Sequence, residues 1–310
     1  MTIPGTPKAL QKSPQTEASQ KRAADRPAVG NDVPPVNQLA VFDLDKTLLN
    51  NESRISTECA DRLNAAMTVG LACTVASGRD MDHIDPYLKQ MQWTSVPVIA
   101  EQGAVVIAPD THAILMERRI PYDVVVAALE AVCTSRISTA ITLFGGDTPQ
   151  VFHTPGALDL PGGATHGSTA IEVRKLSDFR IVRASHVRKL SLRCFREDTG
   201  TMRSLIAGAL GNRATVVKAD VDFVNMMDAG VDKGSALAWL LDYLGIDARY
   251  VMAVGDCEAD RSMFALAGVS VAVANADEQT RLAARFIVPS NAECGAAVAL
   301  LQFATGMYGV

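Results

Sequence analysis

The sequence predicts an α/β protein: a parallel sheet covered on both faces by helices and interrupted by an inserted α+β segment. From Leu39 onward, short apolar or β-branched runs alternate with helix-like stretches, the pattern of strands buried on both faces. Several of these runs end in acidic or small polar residues, as strands do when their carboxyl ends face a shared site. The middle of the chain, roughly Val106 to Val224, breaks the pattern with strand-like pieces set between Gly and Pro turns.

Taken in order, Met1 to Gln38 is rich in Pro, Ser, Thr, Gln, Lys and Ala and poor in large apolar residues. It cannot bury enough surface to offset the entropy of ordering, so residues 1–38 are expected to form a disordered tail. Lys8, Lys12, Lys21, Arg22 and Arg26 leave an address signal as the alternative, which Glu17, Asp25 and Asp32 weaken. The runs "LAVFDLD", "LACTVASG" and "VPVIAEQG" build the first part of a core over 39–105. Residues 106–224 form the insertion, with "YDVVVAALEAV" as helix and "ITLFGGDTPQVFHT" and "VRKLSLRCF" as strands. The core resumes over 225–310, where "DKGSALAWLLDYLG" reads as a helix capped by Asp232, beginning at Lys233 and stopped by Gly245. The strands "YVMAVGD", "VSVAVAN" and "RFIVPS" follow.

Composition excludes several function classes. A formal net charge of −5 argues against an extended surface for phosphate backbones, so no nucleic-acid partner is expected. No apolar run approaches the roughly 18 to 20 residues of a membrane-spanning helix, so no membrane partner is expected either. The six cysteines (Cys59, Cys73, Cys133, Cys194, Cys257, Cys294) show no CxxC pair and read as reduced thiols of a cytoplasmic protein, with no disulfide framework. The five histidines show no pair at metal spacing, and nothing in the sequence sets an oligomeric state.

What remains is a set of strand ends carrying chemistry. The first delivers Asp43 and Asp45, the second Ser77, and a later one Asp256 and Asp260, while Lys233 opens the helix already described. Converging that many acids is prohibitive unless a cation neutralises them, and a hard divalent ion with oxygen ligands, Mg²⁺, fits. An EF-hand loop starting at Asp43 is excluded, because Leu48 stands where Gly is required and Arg54 where Glu is required. Singly, each acid would be a solvated turn or a helix cap; four elements in this order are not explained that way.

The ordered set resembles the haloacid dehalogenase superfamily of hydrolases. Asp43, Asp45 and Thr47 match its DxDx[TV] motif, Ser77 its second motif, Lys233 its third, and Gly255, Asp256 and Asp260 its GDxxxD motif. "SGR" at Ser77 and the long stretch between Ser77 and Lys233 are similar to the Cof-like branch, whose members carry an inserted C2-type cap over a Rossmann-like core. The resemblance implies a Mg²⁺-dependent phosphatase acting on small phosphorylated metabolites, sugar phosphates first. It implies Asp43 as nucleophile, forming an aspartyl-phosphate, and Asp45 as general acid and base, so that Asp45→Asn costs about 10² to 10⁴ in turnover. Leu44, Ser77, Gly78 and Lys233 would bind the phosphoryl group, and Asp43, Asp45 (through its carbonyl), Asp256 and Asp260 would hold the metal, Asp260 more remotely. A C2-capped phosphomutase and a catalytically silent sugar-phosphate-binding regulator are the alternatives.

Departures from the branch are local. Ala259 stands where Cof-like chains commonly have Asn, an expectation of weaker metal affinity, and Gln102 and Asn225 also differ from the common residues. Arg79 reads as an ion-pair partner as readily as a site residue. Cys257 beside Asp256 reads as packing. Lys46 occupies a position where Cof-like chains usually have Gly; alternation along the turn points it away from the acids, toward an ion pair or solvent.

Overall fold

The computed structural model describes residues 37–67, 70–145, 148–160, 170–179 and 186–309. Its strands are β1 (Gln38–Phe42), β2 (Leu71–Val75), β3 (Val98–Ala100), β4 (Val105–Ile107), β5 (Ile114–Glu117), β6 (Ala140–Phe144) and β7 (Gln150–His153). They continue as β8 (Ile171–Glu172), β9 (Lys189–Arg193), β10 (Ala214–Lys218), β11 (Phe223–Asp228), β12 (Val251–Gly255), β13 (Val269–Val273) and β14 (Phe286–Val288).

Leu39, Ala40, Val41 and Phe42 of β1 are fully buried, and a strand apolar on both faces belongs inside a covered parallel sheet. β1 takes that place in the order β14-β13-β12-β1-β2, in which every pairing is parallel. The chain leaves β1 toward β2 on one side and returns as β12 on the other. The strand order therefore reverses at β1, and the crevice outside its carboxyl end is where such sheets bind ligands. β3 joins through a parallel bridge between Ile99 and Ala76 and continues antiparallel into β4 and β5.

The helix Lys233–Leu244 is capped by Asp232, whose carboxylate accepts from the Ser235 amide, and stopped by Gly245 at φ 71°. That is the start and stop expected from the sequence. The helix packs Leu237, Leu240 and Leu241 into the core.

A second sheet, ordered β10-β11-β9-β6-β7-β8, is antiparallel apart from the β7–β8 pair. One face buries Ile141, Leu190, Leu192, Val224 and Met226 against the helices Tyr122–Thr134 and Thr199–Leu210 in a hydrophobic cluster separate from that of the first sheet. Successive side chains alternate between faces, so Lys189, Ser191 and Arg193 of β9 lie on the other face. Register puts Phe144 and Met227 opposite Lys189, and Thr142 and Asn225 opposite Ser191. Met227 packs with Ala104 and Val231, so this face looks toward the parallel sheet.

Four expectations are corrected. The division at 105/106 cuts β4, whose three residues are buried in the first cluster, and the division at 224/225 cuts β11, which belongs wholly to the second sheet. Element boundaries are the least legible part of a sequence, and neither strand carries a mark of the sheet it joins. Most of the expected tail, residues 1–36, lies outside the described residues, but Gln38, placed in that tail, is the first residue of β1 and pairs with Leu71. Cys59 and Cys294 form a disulfide with their Cα atoms 5.4 Å apart, while Cys73, Cys133, Cys194 and Cys257 are free thiols. The bridge joins the helix Thr57–Ala65 to the residue before the helix Gly295–Ala304, and 235 residues of separation leave no spacing signal. Among the described residues no helix is long and apolar enough to cross a membrane.

Candidate active site

β1 hands the chain to a tight turn at the crevice. The Asp43 amide donates to the Val254 carbonyl at 2.9 Å, and the Ala76 amide to the Phe42 carbonyl at 2.8 Å, so neighbouring strands fix where the Asp43 carboxylate starts. The next residues, Leu44–Leu48, curl on themselves: Leu44 is buried and its carbonyl accepts from the Leu49 amide at 2.9 Å. Lys46 stands at φ 59°, a left-handed conformation that favours glycine. Asparagines from distant loops brace the turn, Asn275 donating to the Lys46 carbonyl and Asn291 to the Leu49 carbonyl, each at 2.8 Å. The Lys46 ammonium turns outward to Asp220 at 2.5 Å, the ion-pair outcome expected for it.

Lys233 is the centre of charge. Only 2% exposed, its ammonium donates to Asp43 Oδ1 at 2.5 Å and to Asp260 Oδ1 at 2.7 Å. Burial opposes that charge, yet Asp260 and Asp43 together hold the ammonium above the usual lysine range. Asp260, fully buried, also accepts on Oδ2 from the amides of Asp256 and Cys257 at 2.9 and 3.1 Å. Both its oxygens are engaged, so it shapes the loop and holds Lys233, leaving Asp256 as the loop's carboxylate toward Asp43.

Asp43 and Asp256 are the strained members. Burial raises the Asp43 carboxyl above its usual range against the pull of Lys233, and Asp260 and Asp45 add to the rise. Burial also raises Asp256, with the charges of Asp43 and Asp260 pushing it further. Two buried carboxylates destabilised in this way are what a divalent cation relieves, and their oxygens suit a hard ion. Asp256, Cys257 and Asp260 offer ligand atoms within 4.8 Å of one another, but burial and the flanking acids keep the Cys257 sulfur a thiol, a poor partner for such an ion. The carboxylates of Asp43 and Asp256 are thus oxygen donors that suit Mg²⁺. Ala259 carries no amide that could add to them.

The end of β2 supplies the third side. Ser77 is fully buried, with its amide donating to the Ile99 carbonyl and its Oγ accepting from the Arg79 amide at 3.1 Å. Gly78 is tightly enclosed: a Cβ there would lie 2.7 Å from the Gln102 Nε2. Arg79 reaches across to Asp45 with Nε–Oδ2 at 2.9 Å and Nη2–Oδ1 at 2.5 Å, so both oxygens of the motif's second acid are engaged by the guanidinium. The sequence offers "SGR" but no signal of which acid Arg79 takes.

The second sheet closes on these loops through residues that sequence reasoning missed. Lys189 donates to the Gly78 carbonyl at 2.5 Å, Arg188 forks onto Glu101 at 2.7 and 3.0 Å, and Arg203 forks onto Glu258 at 2.9 and 2.5 Å. "VRKLSLRCF" does alternate basic and apolar residues, which marks one polar face. Which surface that face covers is decided only by tertiary packing.

A family model described as haloacid dehalogenase-like hydrolase matches residues 40–300. The chain is 27% identical over 286 residues to the Endoribonuclease YBEY, chloroplastic, of Arabidopsis thaliana, covering 84% of this chain but 46% of that protein, less than half its length. It is 25% identical over 289 residues to the 5-amino-6-(5-phospho-D-ribitylamino)uracil phosphatase YwtE of Bacillus subtilis, covering 86% of this chain and 98% of that one. A solved haloacid dehalogenase-like hydrolase from Bacteroides thetaiotaomicron superposes with a TM-score of 0.69 at 25% identity, covering 85% of this chain and 98% of that one.

Proposed function

This chain belongs to the haloacid dehalogenase-like hydrolases, and on that premise we propose that it is a Mg²⁺-dependent phosphatase of small phosphorylated metabolites, sugar and polyol phosphates first. The observation that carries the reading is Lys233, buried between Asp43 and Asp260 at the carboxyl end of the parallel sheet, with Asp256 close enough to feel the charges of all three. The ribityl phosphate in the name of the Bacillus subtilis relative supports the polyol guess.

In this mechanism Asp43 attacks phosphorus, the ester P–O bond breaks, and Asp45 gives its proton to the departing alkoxide. Asp45, now a carboxylate, then takes a proton from the water that displaces Asp43 from phosphorus, so that inorganic phosphate leaves, Asp43 is again a carboxylate and Asp45 is again the acid. To reach the leaving oxygen, Asp45 must first release Arg79. Lys233 and the Ser77 hydroxyl, with the amides of Leu44 and Gly78, neutralise and orient the phosphoryl oxygens at a helix start whose dipole has the same sign as the ammonium. Asp43, Asp256 and the Asp45 carbonyl would hold Mg²⁺, which would supply the positive charge that the gathered oxygens require. The second sheet acts as the cap, excluding water and setting specificity.

The experiment is a phosphate-ester panel assayed with Mg²⁺ and with a chelator, using Asp43→Asn as control. The expected result is multiple turnover releasing free phosphate without a bisphosphate activator, abolished by chelation and by D43N. Folded protein inactive across the whole panel overturns the reading, and dependence on a bisphosphate activator replaces it with a mutase.

A further inference from the structure

Lys189 is a buried cation that the reaction just described does not use. It is 3% exposed, and among the described residues no carboxylate lies within ion-pair distance of it. Its ammonium sits 3.5 Å from the Phe144 ring centroid and donates to the Gly78 carbonyl at 2.5 Å. The charged groups around it are Glu101, Asp80 and Arg188. Glu101 is already taken by the Arg188 fork, so neither acid neutralises Lys189 directly.

The same face holds groups with the opposite need. Asn225, 5% exposed and on the same face of β11 as the Met227 that stands opposite Lys189, has a side-chain carbonyl with no hydrogen-bond partner among the described residues. Gln102, 4% exposed and beside Gly78, has an equally unpartnered carbonyl. A buried ammonium without an anion and two buried acceptors without donors are each costly. Lys189 and Gln102 border the loop that carries Ser77 and Gly78, and Asn225 lies on the Lys189 face of the second sheet. One ligand satisfies all three: a molecule that brings an anionic group for Lys189 and hydroxyl or amino donors for the two amides.

We propose that Lys189 is a specificity-determining residue that binds a second anionic group, a carboxylate or a further phosphate, on a phosphate ester whose leaving portion carries hydroxyls for Asn225 and Gln102. This rests on the phosphatase reading and narrows its substrate class. Lys189 takes the carbonyl side of Gly78, whereas the phosphoryl group is expected on the amide side. The group it reads is therefore not the one being transferred.

The test compares kcat/KM for 6-phosphogluconate, for sorbitol 6-phosphate, in which an uncharged hydroxymethyl group replaces the carboxylate, and for p-nitrophenyl phosphate, in the parent and in Lys189→Met. The parent is expected to favour 6-phosphogluconate over sorbitol 6-phosphate by about tenfold or more, since a charge-assisted contact is lost with the carboxylate. K189M is expected to erase that preference, to lower kcat/KM for p-nitrophenyl phosphate far less than for 6-phosphogluconate, and to melt no lower than the parent at pH 7. Equal losses on all three substrates, a parent without the preference, or a variant that melts well below the parent overturns the proposal. A parent inactive on all three overturns the phosphatase reading itself, a result distinguishable from the others.

Discussion

Two lysines, both almost fully buried, sit on opposite sides of one crevice in contrary electrostatic states. Lys233, at the end of the parallel sheet, lies between two carboxylates that hold it charged. Lys189, on the facing sheet, has a carbonyl and an aromatic ring, and burial, with the like charge of Arg188, pushes its amine down to about 8 despite Glu101 and Asp80. Burial alone does not fix the charge of a lysine; the local count of counter-ions does. Lys233 finds its counter-ions within the chain before any substrate arrives, whereas Lys189 must take one from outside. That contrast is why catalytic machinery is assigned to the first sheet and substrate recognition to the second.

The largest effect that would break the comparison is at Lys233. In Lys233→Met, Asp43 and Asp260 lose their shared cation while staying buried. Removing one partner of such a buried pair costs about 3 to 5 kcal/mol. Hydrolysis is expected to vanish and the urea midpoint to fall, with added Mg²⁺ restoring part of the stability and none of the turnover. Unchanged stability in the metal-free variant would show that the two carboxylates are not held by this lysine.

Lys189→Met sharpens the comparison with the opposite sign. The Lys189 amine has a folded pKa near 8 against an ordinary 10.5, so between those values the unfolded chain binds the extra proton. The parent therefore bears the whole charging penalty below pH 8 and sheds it as pH rises from 8 toward 10.5. The gross penalty is on the order of 3 kcal/mol. Loss of the Gly78 bond and the Phe144 contact offsets about 1 kcal/mol each, leaving K189M more stable by about 1 kcal/mol at pH 7. Denaturant titrations at pH 7 and pH 10 check this: the advantage of the variant should shrink between the two. An advantage that grows with pH contradicts the buried, uncompensated charge.

The asymmetry between the lysines also explains what the sequence made legible. Lys233 was readable because its partners are strand ends and a helix start in fixed order, with Asp232 and Gly245 marking the helix itself. Local signals of that kind survive in one dimension. Lys189 was not, since its meaning depends on which surface the second sheet covers, and no spacing encodes that. The same holds for Arg79 reaching Asp45 across 34 residues and for Cys59 meeting Cys294 across 235. Each joins elements that become neighbours only when the sheet closes. The boundaries inside β4 and β11 were hidden for a different reason: each strand lies whole within one sheet, and nothing in its residues marks which sheet that is.

The smallest effect tests a third lysine that belongs to neither state. Lys46 touches both regions, from the turn after Asp43 to Asp220 beside β11, yet its side chain is 46% exposed. An exposed ion pair of this kind contributes at most about 1 kcal/mol. The left-handed φ of 59° costs a lysine on the order of 1 kcal/mol that glycine avoids. In Lys46→Gly the two changes nearly cancel, and stability is expected to move by about 0.5 kcal/mol or less. The Asn275 bond to the residue 46 carbonyl is kept, so Asp43 and Asp45 hold their places and kcat should stay within about threefold of the parent. If K46G instead abolished hydrolysis while K233M spared it, the lysine serving the phosphoryl group would be the exposed one, and the division between a lysine paired within the chain and one paired by ligand would fail at its first member.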